Sequence, residues 1–158
     1  MDKKSLNFKK NYLVEEILED HRVIAKSLKR LKKLFNDERY DQEKNNAFLK
    51  VLFQFLKIFS FRLESHFKLE ENYGIFNNLE KLTPRIIPKV KILYKEHQDV
   101  LSQLKQMCEM NSSTSSQEFD KERLKQSFFK LSNQLEKHEV VENKLIIDVF
   151  NVDIGPSD

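Results

Sequence analysis

Apolar residues recur every three to four positions along four long runs of this chain, and little interrupts them. The 158 residues include two glycines and three prolines, too few for the turns of an all-β domain. Long amphipathic helices hide their apolar stripes against one another, and short connections favour antiparallel neighbours. The expected fold is all-α: an up-down-up-down antiparallel four-helix bundle over residues 1–150, with residues 151–158 as a flexible C-terminal tail.

The first run spans about Asn11 to Asn36, with Val14, Ile17, Leu18, Ile24, Ala25, Leu28, Leu31 and Phe35 on its stripe. The second begins at Asp41 or Asn46 and extends to about Phe76, through Phe48, Leu52, Phe55, Leu56, Phe59, Leu63 and Tyr73. Thr83-Pro84 is a cap followed by proline and opens the third, where Pro88 delays the regular helix by a turn. Its stripe holds Ile86, Val90, Leu93, Val100, Leu104 and Met107. After the polar loop Asn111 to Ser116, the fourth runs from about Gln117 to Phe150 and turns Leu124, Phe128, Leu131, Leu135, Val141, Leu145 and Val149 inward.

Charge narrows the partners. The 28 basic and 25 acidic side chains are interspersed, which reads as a solvated surface rather than a nucleic-acid groove, so no nucleic-acid partner is expected. Lys50, Gln54 and Lys57 break the most apolar stretch, so no membrane span is expected. The lysine-rich Met1–Lys10 leads into no apolar segment, and the lone Cys108 has no internal partner; both fit a cytoplasmic protein. Phe48, Phe53, Phe55, Phe59 and Phe61 cover more than one face of the second helix, through deep burial or as the patch of a homodimer.

Against this background four polar residues stand out. Each run carries one histidine, and His21, His66, His97 and His138 all fall on the apolar stripe. A stripe takes about three positions in seven, so chance would place all four there roughly once in thirty trials. His66-x-x-x-Glu70 and His138-x-x-x-Glu142 each add a carboxylate on the same helix face. A buried carboxylate needs a cation, and no lysine or arginine lies inward beside these residues. A metal meets that need.

The heights agree for one pair, more loosely for His97, about 20 Å from its helix end, and His138, about 30 Å into the fourth helix, and for the remaining pair on one condition. His66 lies about 16 Å before the end of its helix and His97 about 18 Å into the next, so these two are level. His21 lies about 22–27 Å from the end of its helix and His66 about 30–37 Å into the second. A shared layer therefore requires the second helix to start late, near Asn46, or an asymmetric loop.

Four imidazoles and two carboxylates are too many for one tetrahedral zinc and too rich in nitrogen for calcium or magnesium. They suit a dinuclear site of iron, manganese, cobalt or zinc, with two histidines on each ion and Glu70 and Glu142 bridging. Solvent would complete the coordination as an oxo or hydroxo bridge, leaving room for a small diatomic or peroxide ligand.

The order His21, His66-x-x-x-Glu70, His97, His138-x-x-x-Glu142, one element per helix, resembles the hemerythrin-like (HHE cation-binding) domain. The contexts E-D-H, H-F-K-L-E-E-N-Y-G-I-F, E-H-Q-D-V-L and H-E-V-V-E-N-K-L carry the likeness over about Leu13 to Phe150. The resemblance implies a non-haem di-iron centre, two iron ions within a four-helix bundle. By carry-over His21 and His66 would hold one iron, His97 and His138 the other, and Glu70 and Glu142 would bridge. Oxygen-carrying hemerythrins have a further histidine where this chain has Leu93, and an aspartate one residue after the position of Glu142. The set is more similar to the di-iron domain of bacterial repair-of-iron-centres proteins, which implies O₂, NO or peroxide chemistry in oxidative or nitrosative stress or in iron handling, with an electron donor protein as partner. The other role such a bundle admits is an oxygen or iron sensor, or an interaction module without turnover. Asp20, Glu71, Glu96 and Glu139 flank these positions; they either orient imidazole N–H groups from behind or, as most of them read, are solvated charges, Glu71 being the best placed as an alternative ligand.

Overall fold

In the computed structural model, residues 3–42, 46–73, 84–111 and 120–150 are described. Four long helices carry the four runs: α1 (Lys3–Phe35), α3 (Asn46–Tyr73), α4 (Ile87–Glu109) and α5 (Lys121–Phe150). A single turn that the periodicity does not announce, α2 (Glu38–Asp41), follows α1. Helix α1 starts earlier than its stripe suggests. The 3-10 turn Pro84–Ile86 precedes α4, which is the one-turn delay expected from the second proline. The expected ends near Phe76 and Gln117, and the Thr83 cap, lie outside the described residues, as does the tail.

The helices pack in a ring, α1 on α3, α3 on α4, α4 on α5 and α5 on α1. Contacts across three of the seams run in opposite directions along the two helices, which fixes the fourth as antiparallel too. Asp20 meets His66 while Ser27 meets Arg62. Glu96 meets His138 while Gln103 meets Gln134. His21 meets Asn143 while Lys32 meets Glu136. The bundle is therefore up-down-up-down, as the short connections demand.

The core falls into two parts. A larger one joins Ile24, Leu28, Leu31, Phe35, Leu56, Phe59, Leu104, Phe128 and Leu131 among others, and Phe35 stacks on Phe128 at 4.5 Å between ring centres. A smaller one holds Val14, Ile17, Leu18, Val90, Leu93, Leu145 and Ile146. Of the phenylalanines on α3, Phe48, Phe53 and Phe59 are buried, Phe55 is partly so, and Phe61 is 62% exposed. Burial accounts for most of that run. Ala25 is exposed and so is Val141; on α5 the inward path after His138 goes through Glu142 and Ile146, four residues at a time. Spacing of four holds the stripe on one side where a step of three would have brought Val141 in.

Local chemistry fixes the joints. Asp120 caps α5 by accepting from the backbone N–H of Arg123 at 3.0 Å. Asp37 caps α2 through the backbone N–H of Arg39 at 2.9 Å, and the Arg39 side chain holds its carboxyl down to about 2. The buried Tyr40 then donates its hydroxyl to the Lys121 carbonyl, tying α2 to the first turn of α5. Tyr40→Phe is expected to cost about 1 kcal/mol, the worth of one internal hydrogen bond. Differential scanning calorimetry should read this as a melting point about 2–4 °C lower in a domain of this size.

Candidate metal centre

Between the two apolar clusters lies a polar layer. His21, His66, Glu70, His97, His138 and Glu142 are all buried, the most exposed at 5%. Helix α3 starts at Asn46, the late start that a shared layer requires, and the structure brings all six side chains together. Two groups of their donor atoms are close enough to hold a metal ion each. One is His21, His66, Glu70 and Glu142; the other is His97, His138 and Glu142.

Both carboxylates reach across the layer. Glu70 Oε1 lies 2.6 Å from His66 Nε2 and 3.3 Å from His21 Nε2, while its Oε2 lies 3.2 Å from His97 Nε2. Glu142 Oε1 lies 3.4 Å from His21 Nε2, and its Oε2 lies 3.2 Å from His138 Nε2. Each carboxylate thus offers one oxygen to the His21 side and the other to the His97–His138 side.

The imidazoles are oriented by a cyclic set of acceptors. Asp20 on α1 faces His66 Nδ1 on α3 at 3.2 Å, and Glu71 on α3 faces His97 Nδ1 on α4 at 3.0 Å. Glu96 on α4 faces His138 Nδ1 on α5 at 2.6 Å, and the Asn143 amide oxygen on α5 closes the ring onto His21 Nδ1 on α1 at 2.9 Å. Every acceptor adjoins a histidine or glutamate of the layer in sequence, yet serves the histidine of the next helix. An acceptor at Nδ1 keeps the proton there and turns the Nε2 lone pair inward. Phe67 covers the layer on the side of the larger cluster, stacked on His97 at 3.8 Å between ring centres.

Three of the four flanking acids are thus bonded to imidazoles while their side chains stay 29–40% exposed, so they face solvent and the site at once. Glu71 lies behind His97, so it does not join the groups that could hold an ion. Asn143 and Phe67 were not legible as site residues. Tyr12 is 65% exposed, whereas Tyr94 packs near His97 at 5.8 Å; the Tyr73 side chain is outside the described set.

Taken without a cation, this layer is electrostatically incomplete. His97 Nε2 and His138 Nε2 face each other at 3.1 Å, and with an acceptor at each Nδ1 they hydrogen-bond only where one ring carries a second proton. Glu70 Oε2 and both oxygens of Glu142 are buried with no hydrogen-bond partner. No lysine or arginine is buried among the described residues. Burial pulls the His21 imidazole down, but Glu142 and Glu70 outweigh it and hold His21 well above its usual range. The same opposition raises His66, through Glu70, and His138, through Glu142 and Glu96. Burial would push Glu70 up, yet its contacts with Glu142, His21, His66 and His97 hold it well below the carboxylate range. The site demands positive charge, and its nitrogen and oxygen donors suit a transition-metal ion.

The Hemerythrin HHE cation binding domain model matches residues 12–107, more than half of the chain. The protein belongs to the hemerythrin HHE family. As a member it binds metal cations, and the His/Glu layer is the group of residues able to hold them. The matched span carries His21, His66, Glu70 and His97, whereas His138 and Glu142 lie beyond it on α5. Comparison with curated proteins and with solved structures gives no match. None of the described helices of this hemerythrin-family chain is long and apolar enough to cross a membrane.

The cyclic acceptors make one prediction about this family member. Asn143 is the only neutral one of the four, and its loss frees the His21 ring to turn. Asn143→Leu is expected to weaken metal binding about 10–100-fold, the usual effect of removing a partner behind a ligating histidine. Competition titration against a chelator of known affinity would show it, and unchanged affinity would refute the orienting role.

Proposed function

We propose that this protein holds two iron ions between its helices and uses them to bind or process a small oxidant or gas, O₂, NO or peroxide. His21 and His66 would hold one ion and His97 and His138 the other, with Glu70 and Glu142 spanning both. The observation that carries the reading is the reach of the two carboxylates, each presenting separate oxygens to the two sides of the layer. One such carboxylate could serve a single ion; two of them, with four imidazoles turned inward, suit a pair. Iron bound there supplies one-electron redox chemistry and open positions for a diatomic or peroxide.

The protein's own part is to prepare that layer. Asp20, Glu71, Glu96 and Asn143 fix the tautomer of each imidazole. The apolar clusters above and below, with Phe67 against His97, restrict water to what the polar layer admits. This chemistry fits a cytoplasmic role in oxidative or nitrosative stress or in iron handling.

Elemental analysis of protein purified from an iron-replete host is expected to give two iron ions per chain. Addition of NO or O₂ to the reduced, loaded protein is expected to change its optical spectrum. Iron-loaded protein whose spectrum neither gas alters would overturn the reading.

A further inference from the structure

The four seams of the bundle are not equivalent. Three of them, α1/α3, α3/α4 and α4/α5, meet the polar layer through one acidic residue bonded to an imidazole Nδ1: Asp20, Glu71 and Glu96. At the α1/α5 seam that position belongs to Asn143, which is neutral. The same seam also carries Glu139, one turn before Asn143 on α5. Its Oε1 is buried and hydrogen-bonds to nothing. Glu139 adjoins His138 in the chain and stands three residues before Glu142. Burial is the largest influence on its carboxyl and pushes it up, Glu142 adds to that, and His21, His66 and His138 oppose it.

Glu139 also lines a groove of about 250 Å³ on the outside of the α1/α5 seam, with Ala25, Leu28, Lys29, Lys32 and Glu136. Lys32 is paired with Glu136 there. One carboxylate therefore belongs to the surface groove and to the electrostatic neighbourhood of the buried layer at once. A carboxylate oxygen kept buried without a partner is costly and calls for a reason. Glu139 lies outside both groups of atoms close enough to hold an ion together, so residence as a ligand is not that reason.

We infer that Glu139 is the entry residue of the metal centre: a transient carboxylate ligand that takes a divalent cation from the α1/α5 groove and passes it to Glu142 and His21. Glu142 sits three residues further along the same helix face, and its Oε1 is likewise unpartnered and 3.4 Å from His21 Nε2. The inference rests on the reading of the layer as a metal centre, and it adds the route by which cations reach it.

The test uses Co²⁺ as a spectroscopic probe, mixed with the metal-free full-length chain in a stopped-flow instrument. Release into excess chelator is followed in the same way. Glu139→Gln is expected to slow uptake about 10-fold, the low end of what a steering charge contributes to association. Release is expected to slow by the same factor, because a gate acts equally in both directions, with final stoichiometry unchanged. Glu139→Asp keeps the charge and should recover most of the rate, and Glu64→Gln, on α3, should behave as the parent. Unchanged uptake would overturn the inference. So would faster release or lower stoichiometry, since these mark a charge compensator or a resident ligand. Failure of the parent chain itself to take up cobalt would instead refute the metal-centre reading, a distinct outcome.

Discussion

Stripping the metal from the loaded protein is expected to lower its melting point by about 10 °C or more. A ligand that binds only the folded chain stabilises it by RT ln(1 + [L]/Kd), about 4 kcal/mol at a thousandfold excess over Kd. In a domain of this size each kcal/mol moves the midpoint by roughly 2–4 °C, so one ion at that excess contributes about 8–16 °C. The unfolded chain scatters the six donors over four segments, so its local His-x-x-x-Glu pairs compete only weakly. The effect is large because the metal-free layer is itself a burden on the fold. It buries Glu70 and Glu142 with three carboxylate oxygens unpartnered. Calorimetry of the loaded protein with and without chelator would measure the shift. Coincident melting curves, with metal loss confirmed by elemental analysis, would show that the layer is stable without a cation.

The bundle was legible because its apolar residues keep helical spacing through four runs with few glycines or prolines between them. The six polar residues were legible for the converse reason: each interrupts a stripe where an apolar residue belongs. What the sequence left undecided for Asp20, Glu71 and Glu96, and did not show for Asn143, lies one step off the stripe. Asp20, Glu71, Glu96 and Asn143 each adjoin an inward residue, at positions that on an isolated helix look half-solvated. Their partners sit on the next helix around the ring, and periodicity within one helix carries no record of a neighbour. Val141 shows the limit of the stripe itself. At 100° per residue both the third and fourth positions after His138 are candidates for the interior, and the need to bring Glu142 in leaves Val141 outside at 47% exposure. The turn α2 went unread because four residues are too few to show a period.

Glu142 should prove the least replaceable side chain in the protein. It alone belongs to both groups of donors able to hold an ion, its Oε1 turned to His21 and its Oε2 to His138. Removing an outer partner of a ligating histidine costs about 10–100-fold in affinity, and removing a carboxylate shared by two sites should cost more at each of them. If the parent binds two ions as proposed, Glu142→Ala is expected to leave less than one per chain, with neither site filling at metal concentrations that saturate the parent. Glu142→Gln keeps the shape and much of the packing but removes the charge, and it should fail to load in the same way while its circular dichroism stays helical. That variant separates loss of binding from loss of fold. Its melting point should no longer respond to added metal, so the stabilisation by loading and the metal count vanish together. Retention of two ions by Glu142→Gln would mean that the imidazoles and Glu70 suffice, and that Glu142 does not join the two sites.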